Sequence, residues 1–204
     1  NYACKSKELW KVPCPIFIRG IAMEGGIGPV AGSSHYSIYY RMPGIKIVSP
    51  MTPKEYKLSY DSFMSEDEVY YVSEHRGSYD NKEELKDFCS NNLDIIIFCI
   101  SITRFEAQKV KKNLEAKGYK IGIANILWIK PFIIKKEWED SLKNSKYGGI
   151  ILDDDYESGV ASDMAYKLMK LTNKNVEIMG LKNRSAGTSK DTDNLPPSEE
   201  EIIS

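Results

Sequence analysis

Two histidines, His35 and His75, and one run of carboxylates, Asp153-Asp154-Asp155, are the residues of this 204-residue chain best suited to chemistry. His35 stands in Gly32-Ser33-Ser34-His35-Tyr36-Ser37. An imidazole on a polar loop can serve as acid, base or donor to a carboxylate or phosphate near neutral pH. On local sequence alone, a solvated loop histidine is the better account of it. The three aspartates follow a strand pattern and could ligate a metal. They could equally cap the next helix and interact with its positive end. Capping is favoured, because no second carboxylate cluster completes an octahedral set. His75-Arg76 reads as an ordinary surface pair. Gly25-Gly26-Ile27-Gly28 has the composition of a phosphate loop but lacks both the P-loop lysine and the Rossmann spacing, so a flexible loop is the preferred reading. There is no Gly-x-Ser-x-Gly elbow and no His-Glu-x-x-His helix. The four cysteines, Cys4, Cys14, Cys89 and Cys99, contain no Cys-x-x-Cys pair. They are expected to be reduced thiols in a cytoplasmic protein.

These residues need elements to position them. Val12 to Arg19 is an apolar strand that opens with prolines, which a strand tolerates only at its start. Residues 20–34 hold five glycines and read as a long functional loop. Ile45 to Ser49 is a second strand. Thr52, Pro53 and Glu55 are the N-cap, first position and capping-box glutamate of a helix reaching about Met64. Val69 to Val72 is a third strand. The polar, turn-rich stretch 75–92 is taken as a domain boundary. Beyond it the pattern predicts strands at 94–101, 120–129, 149–152 and 176–180. It predicts helices at 104–117, 135–145 and 159–171, and a last helix capped by Ser198 with Glu201. Alternating strands and helices imply an α/β fold with mainly parallel sheets. Ligands in such sheets bind beyond the carboxyl ends of the strands, so loops 20–36, 73–80, 129–132 and 153–159 are the candidate site.

Composition narrows the class. The formal net charge of -1 argues against nucleic acid as the main partner. The longest apolar run, Ile95 to Ile100, is far short of the roughly 18 residues that span a bilayer. The chain opens at Asn1 rather than Met and is read as a piece of a longer protein.

In order, the motifs resemble those of the beta-type subunit of 2-oxo-acid dehydrogenases, in the transketolase superfamily. Val12-Pro13-Cys14-Pro15-Ile16-Phe17-Ile18-Arg19-Gly20 is similar to that family's strand ending in Arg-Gly. Ser34-His35-Tyr36-Ser37 resembles the end of its glycine-rich loop, and Pro43-Gly44-Ile45-Lys46-Ile47-Val48-Ser49-Pro50 is the most specific match. Ile129-Lys130-Pro131-Phe132, Leu152-Asp153-Asp154 and Gly159 to Met164 resemble its later turns. The resemblance implies two parallel-sheet units. Residues 1–80 would be the latter half of a pyrimidine-binding domain. Residues 90–204 would be a transketolase C-terminal domain, a three-layer sandwich. It implies thiamine diphosphate and magnesium, held mainly by other domains or by an alpha-type or N-terminal transketolase partner, in a homo- or hetero-oligomer. The family's cofactor-activating glutamate would lie upstream of Asn1. His35 would be the catalytic histidine facing substrate, with Arg19, Gly26, Gly28 and Ser34 around its loop. The competing expectation is a non-catalytic piece that serves dimerisation or docking.

Overall fold

The computed structural model describes residues 1–24 and 34–204. Gly26 and Gly28, and with them most of the glycine-rich loop, lie outside the described residues.

Helix α1 (Tyr2–Trp10) precedes β1 (Ile16–Ala22), which begins just after Pro15. A short helix absent from the sequence reading, α2 (Tyr36–Tyr40), directly follows His35. Strand β2 (Ile45–Val48) follows Gly44, whose φ of +82° and whose backbone, 2.8 Å from the Cys4 carbonyl at the Cβ position, both require glycine. Helix α3 (Pro53–Ser65) starts as its cap predicts, with the Thr52 hydroxyl accepting from the Glu55 amide. Strand β3 (Val69–His75) is buried along its whole length.

The second half holds β4 (Ile95–Ile100), α4 (Thr103–Ala116), β5 (Ile121–Ile126), β6 (Trp128–Lys130), α5 (Lys136–Asn144), β7 (Gly149–Tyr156), α6 (Val160–Thr172), β8 (Val176–Leu181) and α7 (Glu199–Ile203). The predicted Ser198–Glu201 capping box is present. Residues 79–94 contain neither helix nor extended strand; a single bridge pairs Phe88 with Ile123.

Among the described residues there are two four-stranded sheets, ordered β1-β3-β2-β6 and β5-β4-β7-β8. The second is wholly parallel. Along β4, Ile97 and Cys99 face α4 and α7 through Ala107, Val110 and Ile202. The alternate residues Ile96, Phe98 and Ile100 face α5 and α6 through Trp138, Leu142, Met164 and Leu168. Both faces of a parallel sheet are thus covered, and the expected three-layer sandwich results.

The run 120–129 departs from the expected single strand. The chain leaves the second sheet after Ile126, and β6 pairs antiparallel with β2 of the first sheet, through Ile47–Lys130 and Val48–Trp128. Continuous apolar sequence reports burial, and periodicity cannot mark where a buried run changes partners. The inner face of the first sheet, with Ile45, Ile47, Val69 and Tyr71, joins the α5/α6 side of the second sheet in one core.

Candidate functional site

In the second sheet, β4 connects to β5 on one side and β7 to β8 on the other. The crevice at the carboxyl ends of β4 and β7 is therefore a topological switch point, where open α/β sheets take their ligands. Here the three aspartates line it, and residues 34–37 of the first half fill it.

Asp153, Asp154 and Asp155 belong to β7 itself, and each is at most 2 % exposed. The capping expectation is corrected: the N-cap of α6 is Gly159, with no side-chain cap. The strand runs longer than predicted because its polar end is paid for by partners from outside the second sheet. The Ser34 hydroxyl donates to Asp154 Oδ2. The Tyr36 hydroxyl meets Asp153 Oδ1, and lies 2.8 Å from Asp154 Oδ1. The Ser37 amide donates to Asp155 Oδ2 at 3.1 Å. In return, the Val160 amide donates to Ser37 Oγ at 3.1 Å, across the start of α6. Gly159 is needed there, since a Cβ would stand 2.3 Å from Ser37 Oγ. Tyr71 and Ser73 of β3 complete the anchor by donating to the Ser34 carbonyl, at 3.1 and 3.4 Å.

Burial, followed by repulsion from Asp154 and Asp155, pushes the Asp153 carboxyl well above the usual carboxylate range. Asp154 is also raised by burial, against the pull of His75 and the Ser34 and Tyr36 hydroxyls. Burial and the same carboxylates push the Tyr36 phenol up. Asp153 Oδ2 has no hydrogen-bond partner. The Tyr36 hydroxyl thus serves two carboxylate oxygens, one on Asp153 and one on Asp154. Among the described residues, no group of three or more His, Cys, Asp or Glu side chains could hold a metal ion.

His35 is the N-cap residue of α2, half-buried, with φ of 57°. A left-handed non-glycine residue costs about 1 kcal/mol, and such strain persists where neighbours over-determine it. It borders a cavity of about 370 Å³, shared with Ser37, Asp155, Ser158, Gly159 and Asn183. Ser34 and His35 lie at the carboxyl end of β7. Arg19 does not join them. It lies with Phe17 on the α3 side of the first sheet, where its guanidinium binds Glu74 in two-pronged fashion at 2.8 and 2.6 Å.

His75 is not a surface residue. It is 2 % exposed at the end of β3, its Nδ1 accepts from the Gly77 amide at 3.1 Å, and its Nε2 pairs with Glu24. Only its neighbour Arg76 is exposed, as the surface reading requires. Sequence reasoning also missed Tyr36 and the inward turn of the three aspartates. The polar run after four apolar residues was their only local signal, and it fits a helix cap equally well.

No family model matches the chain. The pyruvate dehydrogenase E1 component subunit beta of Mesostigma viride is 27 % identical over 171 residues, 76 % of this chain and 50 % of the relative. The same subunit of Gracilaria tenuistipitata var. liui is 26 % identical over 160 residues, 71 % of this chain and 48 % of the relative. The chain thus spans about half the length of these relatives. Among solved structures, a split-gene transketolase described as an inactive beta4 tetramer shares the fold at a TM-score of 0.65 and 16 % identity, over 82 % of this chain and 57 % of that one. Transketolase from Campylobacter jejuni gives 0.61 and 14 %, over 86 % of this chain and 28 % of that one. The motifs of the sequence, these relatives and the shared fold agree: the chain is similar to pyruvate dehydrogenase E1 beta subunits and shares a fold with transketolases.

Proposed function

We propose that the chain supplies the substrate-facing part of a thiamine-diphosphate site in an enzyme of the transketolase or 2-oxo-acid dehydrogenase type. The bound cofactor supplies an electron sink for breaking or forming a carbon–carbon bond next to a carbonyl. The observation that carries this reading is His35, held in a left-handed conformation beside the cavity at the carboxyl end of β7. Its imidazole donates to, or takes a proton from, an oxygen of the substrate; Ser37 and Asn183 supply further polar atoms along the same wall. Among the described residues the wall carries no Lys or Arg, and the diphosphate and its magnesium are assigned to an alpha-type or N-terminal transketolase partner. The functional unit is an oligomer, with residues 1–80 as part of a pyrimidine-binding domain and 90–204 as the C-terminal domain. We place it in the cytoplasm, with a plastid as the alternative, because one relative, from rice, is named chloroplastic.

Two measurements test this. Calorimetric titration of the chain alone with thiamine diphosphate and magnesium gives no micromolar binding, whereas the complete complex binds. In that complex His35→Ala lowers turnover by about 10²- to 10⁴-fold, the range for a lost acid–base group. Near-full activity of the variant would reduce His35 to a structural loop residue.

A second reading is favoured by one observation: the split-gene transketolase of like fold is described as an inactive beta4 tetramer. Such a chain would assemble through this fold without turning over. Sedimentation of the chain alone, together with an activity assay, separates the two readings.

A further inference from the structure

We propose that Asp154 is the positioning residue of His35, acting through Ser34 and Tyr36. This rests on the reading of His35 as the substrate-facing group, and adds what holds it in place.

The two residues that flank His35 both reach the same carboxylate. Ser34 donates to Oδ2, and Tyr36 lies 2.8 Å from Oδ1. His35 sits between these ties with φ of 57°, a conformation that costs an L-residue about 1 kcal/mol. Tying the residues before and after it to one rigid group removes the freedom of the peptides on either side. The next residue, Ser37, is tied to the adjoining Asp155. The rigid group belongs to β7, a central strand of the second sheet, while the segment it holds belongs to the first half.

Packing alone does not explain Asp154. Its side chain lies in an enclosed site beside two other carboxylates, and burial disfavours its charge. A buried carboxylate is costly unless its oxygens are hydrogen-bonded, as those of Asp154 are. What an apolar side chain lacks is two acceptor oxygens aimed at the hydroxyls on either side of His35. The crevice is also the place where an α/β sheet ordinarily admits a ligand. Here a segment of the same chain occupies it and carries the imidazole to the adjoining cavity.

The chain has two histidines, so a carbon–proton correlation spectrum of the imidazole Cε1 positions contains two signals, assigned with His35→Ala. Tyr36→Phe and Ser34→Ala each remove one tie and little volume. In the full chain, both variants should shift or broaden the His35 signal. The His75 signal should hold, because Gly77 and Glu24 fix that ring. In the complete enzyme, Tyr36→Phe should lower kcat by about tenfold or more, since misplacing a reacting group by about 1 Å can cost ~10²-fold. On the His35→Ala background, the same change should cost less than about twofold, because a positioning residue has nothing left to position. Asp154→Asn, which keeps one acceptor oxygen, should fall between wild type and the loss of both ties.

A His35 signal unmoved in Ser34→Ala and Tyr36→Phe, with melting curves that show both folded, would overturn the proposal. So would an equal cost of Tyr36→Phe with and without His35, which marks a purely structural role. If Tyr36→Phe does not fold, Ser34→Ala decides by the same two measurements. If the signal moves while His35→Ala keeps full activity, the positioning stands and the catalytic reading of His35 falls.

Discussion

Replacing Asp153 by Asn should change how stability depends on pH, in a direction the buried cluster dictates. Asp153 is fully buried; its Oδ1 accepts from the Asp155 amide at 3.1 Å and meets the Tyr36 hydroxyl, while Oδ2 has no partner. Burial and the two adjoining aspartates hold its pKa in the folded protein well above the ordinary value near 4. The folded state therefore binds a proton that the unfolded state has already released. For such a group, stability is fully present below the unfolded pKa and declines as pH rises toward the folded pKa. Within that window, one proton corresponds to about 1.4 kcal/mol per pH unit. Asparagine has no proton to lose. The variant should gain on the wild type as pH rises above the ordinary aspartate value near 4, by at most about 1.4 kcal/mol per pH unit. Urea unfolding followed by fluorescence of Trp128 and Trp138, repeated across that range, gives the difference profile. A flat profile would mean that Asp153 ionises as easily folded as unfolded, and the argument that burial raises its pKa would fail.

Other parts of the molecule carry equally definite expectations. Arg104 is fully buried in α4 and grips Glu55 of α3 at 2.7 and 2.6 Å, with Asn125 at 3.1 Å. Arg104→Met should cost about 3–5 kcal/mol by stranding the Glu55 carboxylate, and Glu55→Gln on that background should recover part of it; thermal melts showing no loss would refute the pairing. Gly159→Ala should cost about 1–3 kcal/mol, since its Cβ would meet Ser37 Oγ at 2.3 Å and the Tyr156 carbonyl at 2.9 Å; an unchanged melting temperature would contradict that contact. Exposed Cys14 should react with a thiol reagent in the native protein, whereas Cys99, buried and with its thiol pushed up to about 12, should react only on unfolding. Mass spectrometry of timed labelling distinguishes the two.

Much of the fold is carried by local signals in the chain. Thr52-Pro53-Lys54-Glu55 starts α3 where the cap chemistry predicts, and Ser198 with Glu201 starts α7, because a cap is satisfied within four residues. The alternation along β4 has both faces apolar, which is the pattern of a strand buried between helix layers. The ordered motifs pointed to the pyruvate dehydrogenase beta subunits that the chain resembles, whereas residue type and loop context alone left His35 a solvated loop residue. Tertiary structure alone decided which partners the polar residues found. Nothing near residue 154 says that Ser34 and Tyr36, more than a hundred positions earlier, satisfy its carboxylate, so the three aspartates read as a helix cap. Nothing near His75 says that Glu24 and the Gly77 amide will pair with its ring inside the molecule. Arg19, adjacent to the loop in sequence, turns to the opposite face of its sheet because strand side chains alternate and Glu74 waits there. Short-range bonds are encoded by neighbouring residues, whereas the partner of a buried charge is chosen by how the two sheets pack, and that choice ties residues 34–37 to the end of β7.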